Sequence, residues 1–119
     1  MNVSLHTPVC DLLGVPYPIV QTGMGWVATP ELVAAVSNAG AIGFLAAATL
    51  RPEDVDAEIA KVQALTDQPF GVNFLMDAPG AEEIVELCLA NGVRAAGYNR
   101  APSAVLIEKL KAGGVLCIP

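Results

Sequence analysis

Thr29-Pro30-Glu31-Leu32-Val33-Ala34-Ala35-Val36-Ser37-Asn38-Ala39-Gly40-Ala41-Ile42-Gly43-Phe44-Leu45 holds a helix start, a helix stop and a buried strand in one run. Thr29 takes the N-cap position and Pro30 the first helical position, where a missing N–H costs nothing. Glu31 faces the positive end of the helix dipole. Asn38-Ala39-Gly40 is a stop signal. Ala41–Leu45 is apolar throughout, as a parallel strand covered on both faces must be. The overlapping stretch Leu32–Leu50 carries no charge and is long enough to cross a bilayer. Ser37, Asn38, Gly40 and Gly43 within it favour helix, turn and strand over a membrane span.

The same alternation extends in both directions. Apolar runs at Pro18–Thr22, Phe70–Leu75, Arg94–Tyr98 and Val115–Ile118 read as further buried strands. Amphipathic stretches fill the gaps. Pro52-Glu53-Asp54 opens a helix with Val55, Ile59 and Val62 on one face; Ala81–Ala90 forms another, with Glu82 and Glu83 in its first turn. A fourth opens at Pro102-Ser103 and buries Leu106, Ile107 and Leu110, and stops fall at Asn91-Gly92 and Gly113-Gly114. With a short helical turn near Thr7–Leu13 in front, the order is βαβαβαβαβ: an α/β protein with a parallel sheet and right-handed crossovers. Two architectures fit this order. A five-stranded flavodoxin-like sheet normally carries a helix after its last strand, and none follows here. A (β/α)₈ barrel needs about 250 residues, and the chain has 119. A half-barrel would leave Pro18–Thr22 and Val115–Ile118 as open edges.

Composition narrows the functional classes. Hydrophobic residues make up 54% and charged residues 15%, which excludes intrinsic disorder. The net charge of −6 and 5% aromatics argue against nucleic-acid binding, and the acidic surface disfavours polyanionic partners. Three cysteines, Cys10, Cys88 and Cys117, without short spacing make neither a disulfide framework nor a zinc site. They read as small buried hydrophobes in a reducing, cytoplasmic protein. The first basic residue is Arg51, so no signal peptide is expected, and no membrane association. His6 reads as a surface histidine without a carboxylate or cysteine partner.

Two stretches could carry chemistry. Gln21-Thr22-Gly23-Met24-Gly25-Trp26 follows the first strand and precedes a helix, at the C-terminal end of the sheet where ligands bind. Its glycines would let backbone approach a ligand closely; an ordinary βα turn explains them equally well. Asn73, inside the apolar strand Gly71-Val72-Asn73-Phe74-Leu75, must find partners if buried, either in the core or on a ligand. Tyr98, Asn99 and Arg100 follow the fourth strand and could line the same rim. Glu82, Glu83 and Glu86 read as a solvated helix face. No P-loop, GxGxxG, HExxH or nucleophile elbow is present.

With those residues in place, the chain resembles the FMN-dependent family that joins nitronate monooxygenases (2-nitropropane dioxygenases) with flavin-dependent enoyl-thioester reductases. The match runs through Pro18–Met24, Thr29–Gly40, Ile42–Leu45 and Leu65–Asn73. The resemblance implies a (β/α)₈ barrel truncated to about (βα)₄β, with residues 1–119 as the N-terminal portion of one FMN-binding domain. It implies that Thr22, Gly23 and Met24 lie along the flavin ring and that Asn73 hydrogen-bonds the cofactor. NAD(P)H or the substrate would reduce FMN. The substrate would be an acyl thioester or a nitronate. Nitronate monooxygenases often read Gln-Ala-Pro-Met in the first loop. Gln21-Thr22-Gly23-Met24-Gly25-Trp26 is more similar to enoyl reductases, above all to the flavin reductases of bacterial steroid-ring degradation. The family's catalytic histidine and phosphate-binding loops would fall beyond residue 119, so this portion alone is expected to be inactive. The alternative expectation is a complete half-barrel that forms a homo-oligomer as a binding module.

Overall fold

The computed structural model describes residues 4–119. The elements run α1 (Pro8–Leu13), β1 (Val20–Gln21), α2 (Pro30–Asn38), β2 (Ile42–Ala46), a 3₁₀ turn at Ala47–Thr49, α3 (Pro52–Leu65), β3 (Phe70–Phe74), α4 (Ala81–Ala90), β4 (Ala95–Tyr98), α5 (Ala104–Ala112) and β5 (Leu116–Ile118). All strand pairs are parallel, and the spatial order β1-β2-β3-β4-β5 is the chain order. That order decides between the two architectures. A flavodoxin-like sheet reverses direction and reads 2-1-3-4-5, whereas a barrel winds one way. The five strands form a half-barrel with its helices outside, and β1 and β5 are its two edges.

Strand register sorts side chains into two faces. Leu45, Val72, Ala96 and Cys117 are in register and point outward to the helices. They join a core with Val33 of α2, Val55, Ile59 and Val62 of α3, Val85 and Cys88 of α4, and Leu106 and Leu110 of α5. The intervening rows point inward: Phe44, Gly71, Ala95 and Leu116, and above them Ala46, Asn73, Gly97 and Ile118. The lower part of this inner face forms a second core, in which Leu13 and Val15 cover Ile42, Phe44 and Ala95. The first helix thus plugs the N-terminal end of the barrel, and the Arg94 guanidinium donates to the Leu12 carbonyl beside it.

The boundaries follow local chemistry. Thr29 is extended at the head of α2 but makes no side-chain cap bond, so Pro30 and the backbone set that start. At the other end Gly40 adopts φ +97°, and the Ala41 N–H donates back to the Val36 carbonyl at 3.3 Å. This left-handed turn favours glycine. The polar residues that spoke against a membrane span have structural partners. Ser37 Oγ accepts from the Gly43 N–H at 3.3 Å, and Asn38 bonds both the Leu65 carbonyl and the Thr66 hydroxyl. Among the described residues no helix is long and apolar enough to cross a membrane.

Candidate functional site

The inner face is filled below and open above. Phe44 fills the lower level because its neighbours are small: a Cβ on Gly71 would lie 2.3 Å from the Phe44 ring, and one on Gly97 3.3 Å from it. Above Phe44 lies a cavity of about 230 Å³ at the C-terminal ends of the strands, walled by Val20, Thr22, Gly23, Asn73, Gly97, Asn99 and Ile118. It is smaller than a ligand cleft of about 300–1,000 Å³, as one wall of a larger site would be. Among the described residues no charged side chain lines it.

Gly23 and Asn73 meet on this wall. A Cβ on Gly23 would fall 2.5 Å from Asn73 Cβ and 2.9 Å from its Oδ1, so only glycine lets the loop lie on the asparagine. Gly97 leaves room on the other side, where a Cβ would sit 3.2 Å from Asn73 Nδ2. Asn73 is half-buried, and among the described residues its amide has no hydrogen-bond partner. A partly desolvated amide facing a cavity is free to bond water or a ligand.

Gln21 fixes the base of the loop. Its Nε2 donates to the Thr22 carbonyl at 2.5 Å and to the Phe44 carbonyl at 3.1 Å, tying the end of β1 to β2. Its Oε1 is buried and, among the described residues, has no partner. On the opposite, helix-facing side of the sheet, burial and then the proximity of Cys117 hold the Tyr98 phenol above its ordinary pKa, so it stays protonated there. Among the described residues no cluster of three His, Cys, Asp or Glu side chains could hold a metal ion.

A family model described as nitronate monooxygenase matches residues 6–117. The chain belongs to the nitronate monooxygenase family. It is 50% identical over 117 residues to a (3aS,4S,5R,7aS)-5-hydroxy-7a-methyl-1-oxo-octahydro-1H-indene-4-carboxyl-CoA dehydrogenase of Mycobacterium tuberculosis, covering 98% of this chain and 33% of that protein. Among solved structures, FabK from Thermotoga maritima superposes with a TM-score of 0.90 at 36% identity, over 96% of this chain and 37% of that one. A nitroalkane oxidase from Streptomyces ansochromogenes superposes with a TM-score of 0.82 at 28% identity, over 93% of this chain and 41% of that one. The chain thus spans about a third of the length of the curated relative it matches.

The structure gathers three of the four residues singled out for the cofactor. Thr22, Gly23 and Asn73 line one cavity. Met24 does not line it; it opens the next turn and is 38% exposed. Of the rim residues, Asn99 lines the cavity, Tyr98 borders it but has its ring in the outer core on the helix side of β4, and Arg100 pairs with Asp77 at 3.5 Å. His6 is a surface residue, but the expectation that it lacks a partner is corrected: from just before α1, its Nε2 lies 2.8 Å from the carboxylate of Asp11 within that helix. Sequence reading assigned no role to Gln21, Phe44 or Gly97. Phe44 and Gly97 share the inward strand parity, which does not by itself say which face meets a ligand, and Gln21, paired with Gly43, lies on the opposite parity.

Proposed function

We propose that this face is one wall of an FMN site in an oxidoreductase that reduces a conjugated acyl thioester, with NAD(P)H as the electron source. The observation that carries the reading is the contact of Gly23 with an unpartnered Asn73 amide above Phe44. An uncharged wall of backbone, amide and aromatic edge suits the polar rim and flat faces of a flavin ring; it does not suit a phosphate. Bound FMN would supply the hydride or electron transfer. The chain's own residues would orient it. Asn73 would hydrogen-bond a ring heteroatom. Gln21 would hold the Thr22–Gly23 peptide against the ring. Phe44 and Ile118 would keep water from its underside.

The thioester reading rests on the first loop. A proline ring in place of Gly23, as in the Gln-Ala-Pro-Met form of the family, would collide with Asn73, since even a Cβ there falls 2.5 Å away. This loop therefore brings backbone, not a ring, to the ligand. The Mycobacterium tuberculosis relative is named for a CoA thioester, which supports the thioester class, although as a dehydrogenase it is named for the oxidative direction. Turnover by these residues alone is not expected.

Titrating FMN into the chain and recording the flavin difference spectrum tests the reading. Asn73→Ala is expected to weaken binding about tenfold, the worth of a hydrogen bond or two. Gly23→Val is expected to abolish it. Circular dichroism establishes that each variant is folded. Wild-type binding by both folded variants, or no spectral change with the wild-type chain, would overturn it.

A further inference from the structure

Trp26 is the chain's single tryptophan, and 86% of it is exposed. Its backbone has φ +60°, in the left-handed region that bulky residues rarely occupy. The turn that carries it is nevertheless well fixed. The Val27 and Ala28 N–H groups donate to the Met24 carbonyl at 3.0 and 2.8 Å. The Trp26 N–H donates to Thr49 Oγ1 at 3.4 Å, and the Ala46 N–H donates to the Ala28 carbonyl at 3.2 Å. Gly25 presses on Thr49 so closely that a Cβ would fall 2.8 Å from its methyl group. The turn is thus pinned to the end of β2, with the indole on its crest and Val27 and Met24 exposed beside it. Strained conformations that surrounding contacts over-determine cluster at ligand sites.

We infer that this turn is an apolar ledge for the hydrocarbon part of the substrate's acyl group, three residues along the chain from Gly23 on the cavity wall. The inference rests on the flavin and thioester reading above and names the part of the substrate that the rim selects. Charge supports this occupant. No charged residue lies between Asp11 and Glu31. Glu58 lines the crevice beside the indole, and Arg51, the first basic residue of the chain, is engaged by Glu53 and Asp54. Nothing on the ledge meets the phosphates of coenzyme A or of a nicotinamide dinucleotide. A flat aromatic flanked by Val and Met instead suits an uncharged, ring-sized hydrocarbon.

The emission of Trp26 reports on the ledge directly, with no background from another tryptophan. Cyclohex-1-ene-1-carboxyl-CoA is expected to shift that emission to the blue in a saturable way, and free coenzyme A is expected to leave it unchanged. Val27→Asp, at an exposed position, is expected to weaken the response about tenfold by placing a charge against the hydrocarbon. An equal shift with free coenzyme A, no shift with either ligand, or a shift that follows chain concentration without ligand would overturn the ledge. The last result would mark a contact between copies. If the flavin difference spectrum persists while the ledge fails, this inference alone falls; if flavin binding fails, the reading beneath it falls as well.

Discussion

Asn73 sits in one row with Ala46 and Gly97, and both neighbours are too small and apolar to offer it a hydrogen bond. Its freedom is therefore built by the residues around it, as Phe44's place is built by Gly71. Adding a methyl group at Gly71 would put carbon 2.3–2.6 Å from three atoms of the Phe44 ring. Gly71→Ala is expected to destabilise the fold by about 1–3 kcal/mol; Phe44→Leu in the same chain should return part of that loss, both read by urea unfolding. Full stability in Gly71→Ala would mean that the ring is not fixed there. Asn73 was legible in the sequence because a polar residue interrupts an apolar strand. Phe44 and Gly97 were not, because an unbroken apolar strand does not say which parity faces a ligand. The sequence left Trp26 open between walling a pocket and packing on the helix that follows it; the structure gives it a positive φ and leaves it exposed.

Among the elements, α4 shows why the helices could be read so directly. Its boundaries, Ala81–Ala90, are those that the pattern predicts, because its acidic first turn and Asn91-Gly92 stop act locally. The strands were placed as well, but β1 is only Val20–Gln21, shorter than the apolar run that announced it. Length in a strand depends on partners, and β1 pairs on one side only. The 3₁₀ turn at Ala47–Thr49 had no signature; Thr49 makes it useful by holding the Trp26 loop. Within α4, Cys88 is fully buried, and burial pushes its thiol up to about 12 from an ordinary value of 9.0. The unfolded chain then loses this proton before the folded one does. The stabilisation is complete below pH 9.0 and is lost as pH rises towards about 12, by up to about 1.4 kcal/mol per unit. Cys88→Ala is expected to flatten the fall in stability between those values. An identical pH profile for wild type and variant would show that the thiol is not held neutral by burial.

On the scale of the whole molecule, composition and alternation led to a parallel α/β sheet and left two architectures open. The sequential strand order closes that choice, and it is a property of long-range pairing that no local window contains. The consequence is functional. A sheet that winds one way brings the ends of β1, β3, β4 and β5 around a single cavity, so that Gly23 and Asn73, fifty residues apart in the chain, share a wall. The most direct test of that arrangement is amide NMR mapping of the chain titrated with FMN. The account predicts that the largest shifts fall on Thr22, Gly23, Asn73 and Gly97. Shifts centred instead on the groove between α4 and α5, around Ala78, Glu82 and Ser103, would contradict it.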